Sequence, residues 1–198
     1  WDQAMKTLAL MTVATLFAVA IGIPVGIAAA KNNKIDAVLK PILDGMQTMP
    51  SFVYLVPFLL IFSIGKVPAI MATVIYAVPP AIRLTNLGIR LVDPEVVEAA
   101  RSFGTTGLQL LVKVQLPLAM PNIMAGVNQT VMMVLAMVII AGLVGGGGLG
   151  QAVYINSIYL EMGKGFVNGG AIVLIAMILD RMTQGRHESK AVLATARM

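Results

Sequence analysis

The 198 residues are 58% hydrophobic and only 12% charged, with a mean hydropathy of +0.88. A soluble domain carries roughly 25% charged residues, so half that share leaves too little polar surface to face water. The formal charge of +5 comes from scattered basic residues without interleaved aromatics, which argues against a nucleic-acid stripe and fits the loop asymmetry of a membrane protein.

Cysteine is absent, so there is no disulfide, thiolate nucleophile or thiolate metal site. The single histidine, His187, lies in a polar C-terminal stretch and reads as solvated rather than ligating. No paired carboxylates, Ser/His/Asp set or metal-ligand cluster is visible, so neither a catalytic site nor a bound cofactor is expected. The chain opens at Trp1 with no basic segment and cleavage site behind it, and it reads as a piece of a longer protein.

Five membrane spans are predicted in chain order. The first, about 7–30, is free of charge and long enough at about 1.5 Å per residue to cross a ~30 Å hydrocarbon core. A basic connection with Lys31, Lys34 and Lys40 leads to the second, about 43–64, made irregular by Asp44, Pro50 and Pro57. Gly65-Lys66 separates it from the third, about 67–82, which is expected to end near Pro79-Pro80. The fourth covers about 123–144 and the fifth about 166–179, and a polar tail follows from 183 to 198.

Basic residues orient this set. With the segment between spans three and four inside, that face collects Lys31, Lys34, Lys40, Arg83, Arg90, Arg101, Lys113, Arg181, Arg186, Lys190 and Arg197. Lys6, Lys66 and Lys164 remain outside, dividing the 14 basic residues eleven to three. By the positive-inside rule the C-terminus is then expected in the cytoplasm and Trp1 outside.

The one long polar segment between spans, about 93–117, has helix grammar. Asp93 suits an N-cap, Pro94 the first helical position, and Glu95 and Glu98 the positive end of the helix dipole. A short helix over 95–103 should stop at Gly104, and Thr106 with Gln109 has capping-box spacing for a second one. So short a helix is marginal alone in water and calls for a partner. The bland reading is an amphipathic loop helix that only caps the bundle.

These residues resemble the EAA loop of ABC-importer permeases. Glu98-Ala99-Ala100, Gly104 and Val114-x-Leu116-Pro117 follow its spacing, with Val114 where the signature has isoleucine. The run Asp44–Pro57, the segment 113–130 and Gly147-Gly148-Leu149-Gly150 are similar to the glycine betaine/proline betaine osmoprotectant subfamily. The resemblance implies an all-α polytopic membrane protein over 1–182, of the type I ABC-importer permease fold, in the bacterial inner membrane. It implies that Glu98, Ala99, Ala100, Gly104, Leu116 and Pro117 belong to an elbow gripped by a cytoplasmic ATPase subunit. It also implies a second permease subunit, a homodimer by analogy, and an extracytoplasmic substrate-binding protein.

Weaker signals stand beside it. Gly145-x-Gly147-x-x-Gly150 matches a dinucleotide fingerprint as text, but follows an apolar run and opens no βαβ unit, so a flexible, close-packing external turn is expected. There is no G-x-x-x-x-G-K-[ST], so ATP hydrolysis by a P-loop is expected on another polypeptide. Asn128, Gln129 and Thr130 within span four are costly against lipid and read either as interhelical packing or as pathway lining. Phe52, Tyr54 and Tyr76 read either as core aromatics or as rings for a quaternary ammonium cation. The rival classes are an ion-gradient-driven secondary transporter, which calls for intramembrane carboxylates or broken helices in an inverted repeat, and a membrane scaffold, which needs no such elbow.

Overall fold

The computed structural model describes residues 1–184, so most of the polar tail, including His187, lies outside the described residues. Among the described residues nine α-helices follow one another: α1 (Asp2–Lys31), α2 (Asn33–Thr48), α3 (Ser51–Phe62), α4 (Lys66–Arg90), α5 (Pro94–Ser102), α6 (Gly107–Leu110), α7 (Leu116–Ala141), α8 (Gly148–Ile158) and α9 (Met162–Gln184). The described residues contain no strand. A π turn (Leu111–Gln115) joins α6 to α7, so Gly107–Val144 forms one rod of 38 residues.

α1, α4 and α7 make the centre. α1 presents a buried stripe of small residues, with Ala14, Ala18, Gly22 and Gly26 each four positions apart. A Cβ at Gly22 would stand 2.5 Å from Ala81 Cβ, and one at Gly26 2.7 Å from the Ile82 carbonyl oxygen. Gly88 on α4 and Gly126 on α7 give the same close approach between those two helices. Lipid offers no hydrophobic drive for helices to associate, so intimate small-residue packing is what holds such a bundle together. Around it lie Met11, Leu43, Val74, Val78, Val134, Leu135 and Val138.

Among the described residues four helices are long and apolar enough to cross a membrane: α1, α4, the rod Gly107–Val144, and α9 over Met162–Met182. The expected second span differs from its reading as one helix over 43–64. It starts earlier, at Asn33, and is bent by 95° between α2 and α3. Pro50 is the cause, because it forces Met49 out of the helical region to φ −73° and ψ 135°. The bent pair crosses the bundle rather than returning to its starting face. Asn33 bonds Arg90 at one end of α4, while Ile64 and Gly65 lie against Gly145, next to the other end of α4.

Two further expectations are corrected. α4 does not end near Pro79-Pro80 but continues to Arg90. Both prolines are buried, and neighbouring helices can satisfy the carbonyls they free. The stretch after span four is not simply a flexible turn, because Gly148 opens α8.

Candidate functional site

The elbow between α4 and α7 is built as its local sequence dictates. Asp93 Oδ1 accepts from Glu95 N at 2.9 Å, and Pro94 occupies the first turn. The helix runs one residue earlier than expected, Pro94–Ser102, and ends in a left-handed Gly104 at φ +77°. Gly104 N donates to Arg101 O at 2.9 Å and Thr105 N to Ala100 O at 3.4 Å, the paired bonds of a Schellman end. Thr106 and Gln109 close a reciprocal capping box.

None of the α5 residues is buried. Glu98 and Ala99 are exposed and Ala100 half-buried, so the elbow offers a carboxylate next to two methyl-sized side chains. Among the described residues the Glu98 carboxylate forms no ion pair. Phe103 is 89% exposed at the tip, with exposed Leu91, Val96, Leu108 and Val112 nearby in the chain. The Leu116-Pro117 pair directly follows the π turn inside the continuous rod, where proline cannot donate to the turn before it. At about 1.5 Å per residue the 38-residue rod is about 57 Å long, against a ~30 Å hydrocarbon core. Its α6 end therefore has length to stand clear of the membrane.

A polar cluster beneath the elbow went unread in the sequence. Asp36, 7% exposed, accepts from Asn86 Nδ2 at 2.6 Å and lies 3.1 Å from Lys40 Nζ. Arg90 Nε donates to Asn86 Oδ1 at 2.8 Å, Nη1 to Asn33 Oδ1 at 2.9 Å and Nη2 to the Ala29 carbonyl at 2.8 Å. Arg90 Nη2 also lies 3.6 Å from Asp36 Oδ2. One helical step further along, Arg83 pairs with Asp44. The signal was present: Asp36, Lys40 and Asp44 recur every four residues on α2, opposite Arg83, Asn86 and Arg90 on α4. In the sequence Lys40, Arg83 and Arg90 had been counted only as topology markers, Asp44 as an irregularity in the second span and part of the osmoprotectant-like run, and Asp36 and Asn86 not at all.

The candidate pathway residues do not form one site. Tyr54 is buried, its hydroxyl donates to the Met46 carbonyl, and its ring meets half-buried Tyr76 edge-on at 5.4 Å. That pair packs with Leu55, Ala72 and Met137, while Phe52 on the same short helix is exposed. On α7, Asn128 is half-buried, Gln129 exposed and Thr130 fully buried.

The glycine run lies at the end of the bundle opposite α5. Leu149 N donates to Thr7 Oγ1 at 2.8 Å, a buried bond that ties the start of α8 to the start of α1. Gly148 has φ +74°, and a Cβ there would overlap Thr7 Oγ1. Gly142 and Gly150 sit so close to backbone that neither has room for a side chain. This run follows a long helix and closes a packing joint, so it does not have the strand–turn–helix setting of a dinucleotide site. No group of three or more metal-ligating side chains occurs among the described residues.

A family model described as the inner membrane component of binding-protein-dependent transport systems matches residues 22–184. The glycine betaine/proline betaine transport system permease protein ProW of Escherichia coli K12 is 54% identical over 184 residues, covering 93% of this chain and 52% of that protein. The glycine betaine/carnitine transport permease protein GbuB of Listeria monocytogenes 10403S is 52% identical, covering 93% of this chain and 65% of that one. The chain thus spans about half to two-thirds of these relatives' length. Among solved structures, a chain of the inward-facing methionine ABC transporter MetNI superposes with a TM-score of 0.81 at 26% identity, over 91% of this chain and 93% of that one.

Proposed function

The chain belongs to the family of inner membrane components of binding-protein-dependent transport systems, and on that premise we propose that it is the permease part of an ATP-driven importer for a quaternary-ammonium osmoprotectant such as glycine betaine or proline betaine. The observation that carries the reading is the elbow. A nine-residue helix with no buried residue, an unpaired carboxylate and an exposed phenylalanine at its tip has every property of a docking knob and none of a bundle cap. The high identity to relatives named for glycine betaine transport supports the substrate class.

In this reading the α5 end faces the cytoplasm, because Lys31, Lys34, Lys40, Arg83, Arg90, Arg101 and Lys113 gather there while Lys6 and Lys66 line a groove at the other end. A separate ATPase grips the elbow through Glu98, Ala99 and Ala100, whose small side chains let a partner surface come close. Gly104 sets the turn, and Leu116-Pro117 starts α7, the part of the rod that carries the motion inward. Two permease copies enclose the pathway, and an external binding protein delivers solute. ATP binding biases the bundle between two states through this differential contact. The chain itself binds no cofactor and hydrolyses nothing.

The test is reconstitution. The detergent-solubilised complex should bring down a P-loop ATPase, and proteoliposomes should show ATP-driven uptake with glycine betaine, proline betaine, choline and carnitine competing to different degrees. Glu98→Arg should abolish uptake and solute-stimulated ATPase activity while membrane insertion is retained. Normal uptake by Glu98→Arg overturns the coupling role, and uptake driven by an ion gradient without ATP overturns the importer reading.

A further inference from the structure

The geometry points to Arg90 as a positioning residue that clamps the α1–α2 corner to the stem of the elbow, so that a displacement of α5 is passed on to the bent α2–α3 span. This rests on the importer reading above.

The stem is short. Arg90 is the last residue of α4, and Asp93 caps α5 only three positions later. Within that distance the guanidinium holds three separate pieces of chain. It takes the Ala29 carbonyl in the last turn of α1, a group with no intrahelical partner of its own. It takes Asn33, the first residue of α2, and through Asn86 and Asp36 it reaches one turn further along α2. Arg83 with Asp44 adds a second rung, and the register agrees. Residues 36 and 44 are about 12 Å apart along α2, and residues 83 and 90 about 10.5 Å apart along α4.

Three observations separate a linkage from simple packing. The planar fork of arginine fixes direction as well as charge, and here each of its three nitrogens donates a hydrogen bond, to Asn86, Asn33 and Ala29. α5 packs chiefly on α6 and the π turn that follow it, and Leu111 of that turn packs on α1, so the elbow reaches α1 by two routes while the direct route to α2 runs through the stem and α4. The helix that Arg90 holds is the first half of the one span, among the described residues, that carries a 95° joint.

The experiment uses the reconstituted complex with its ATPase. The quantities measured are ATP hydrolysed per solute imported, complex assembly, and the distance between spin labels at Lys34→Cys and Ser102→Cys; the chain has no native cysteine to interfere. In the parent the two labels should keep their separation across the ATP cycle, because stem and corner travel together. Arg90→Gln should assemble normally, raise the ATP cost per solute roughly fivefold or more, and let the label distance change on ATP binding. Arg90→Lys should fall between, since it keeps the charge and loses the fork. If Arg90→Gln does not fold, Asn33→Ala removes one arm at an exposed position and should shift both readouts in the same direction. An assembled Arg90→Gln with a coupling ratio within roughly twofold of the parent and an unchanged label distance overturns the clamp alone. A parent complex with no ATP-driven uptake overturns the importer reading, and the clamp with it.

Discussion

The two ends of the bundle each turn on a glycine in left-handed conformation, and the two glycines are there for different reasons. Gly104, at φ +77°, has open space around its missing side chain and serves only the backbone of the elbow. Gly148, at φ +74°, sits against Thr7 and serves packing as well as backbone. One end is a free-standing knob organised by neighbours in sequence. The other is a joint organised by residues about 140 positions apart, through the bond between Leu149 and Thr7. In the importer proposed above, the first is a handle outside the packed core and the second a fixed point within it.

Substitutions can break or sharpen this contrast, and Gly148→Ala should do most. It combines an overlap with Thr7 and a strained φ, for a loss of about 3 kcal/mol or more, read as a lowered thermal midpoint of the solubilised protein. Thr7→Val keeps the shape but leaves the Leu149 N–H buried without its acceptor. A loss of about 1–3 kcal/mol in the same measurement is expected, and a change near zero would mean that the joint is held by packing alone. Gly104→Ala meets no neighbour and should cost about 1 kcal/mol, confined to the elbow, so that hydrogen exchange rises over residues 94–106 and nowhere in α1 or α4. Phe103→Ser, at an 89% exposed position, should leave chain stability within about 0.5 kcal/mol while weakening co-purification with the ATPase. A drop in stability as large as that of Gly148→Ala would show that the knob is part of the core after all.

The same division explains what could be read in advance. The elbow was legible almost residue by residue because Asp93, Pro94, Gly104, Thr106 and Gln109 act on groups within five positions of themselves. Long apolar runs located the spans for the same local reason, and the permease fold came from the resemblance of the elbow to the EAA loop. Pro50 and Pro79-Pro80 were misjudged in opposite directions. Proline's local effect is constant, but whether a helix bends or continues depends on what packs around it, and α4 is enclosed where α2–α3 is not. The Thr7 bond and α8 depend on partners far away in the chain, where spacing carries little signal, whereas the Arg90 cluster left its spacing in α2 and α4 but not its pairing. The small-residue stripe of α1 was visible in the sequence as Ala14, Ala18, Gly22 and Gly26, and its period of four marks it as a helix contact rather than a lipid face.

The rod Gly107–Val144 has a mechanical consequence. It is about 57 Å long; glycine contacts at Gly88 and Gly126 hold it to α4, so the two helices swing together, and Gly142 pins it at the far end. Pivoting there by about 5° sweeps its α6 tip through roughly 5 Å, close to one full helical turn. Leverage of this kind turns an angular change too small to disrupt side-chain packing near the fulcrum into a stroke large enough for a neighbouring motor protein to drive.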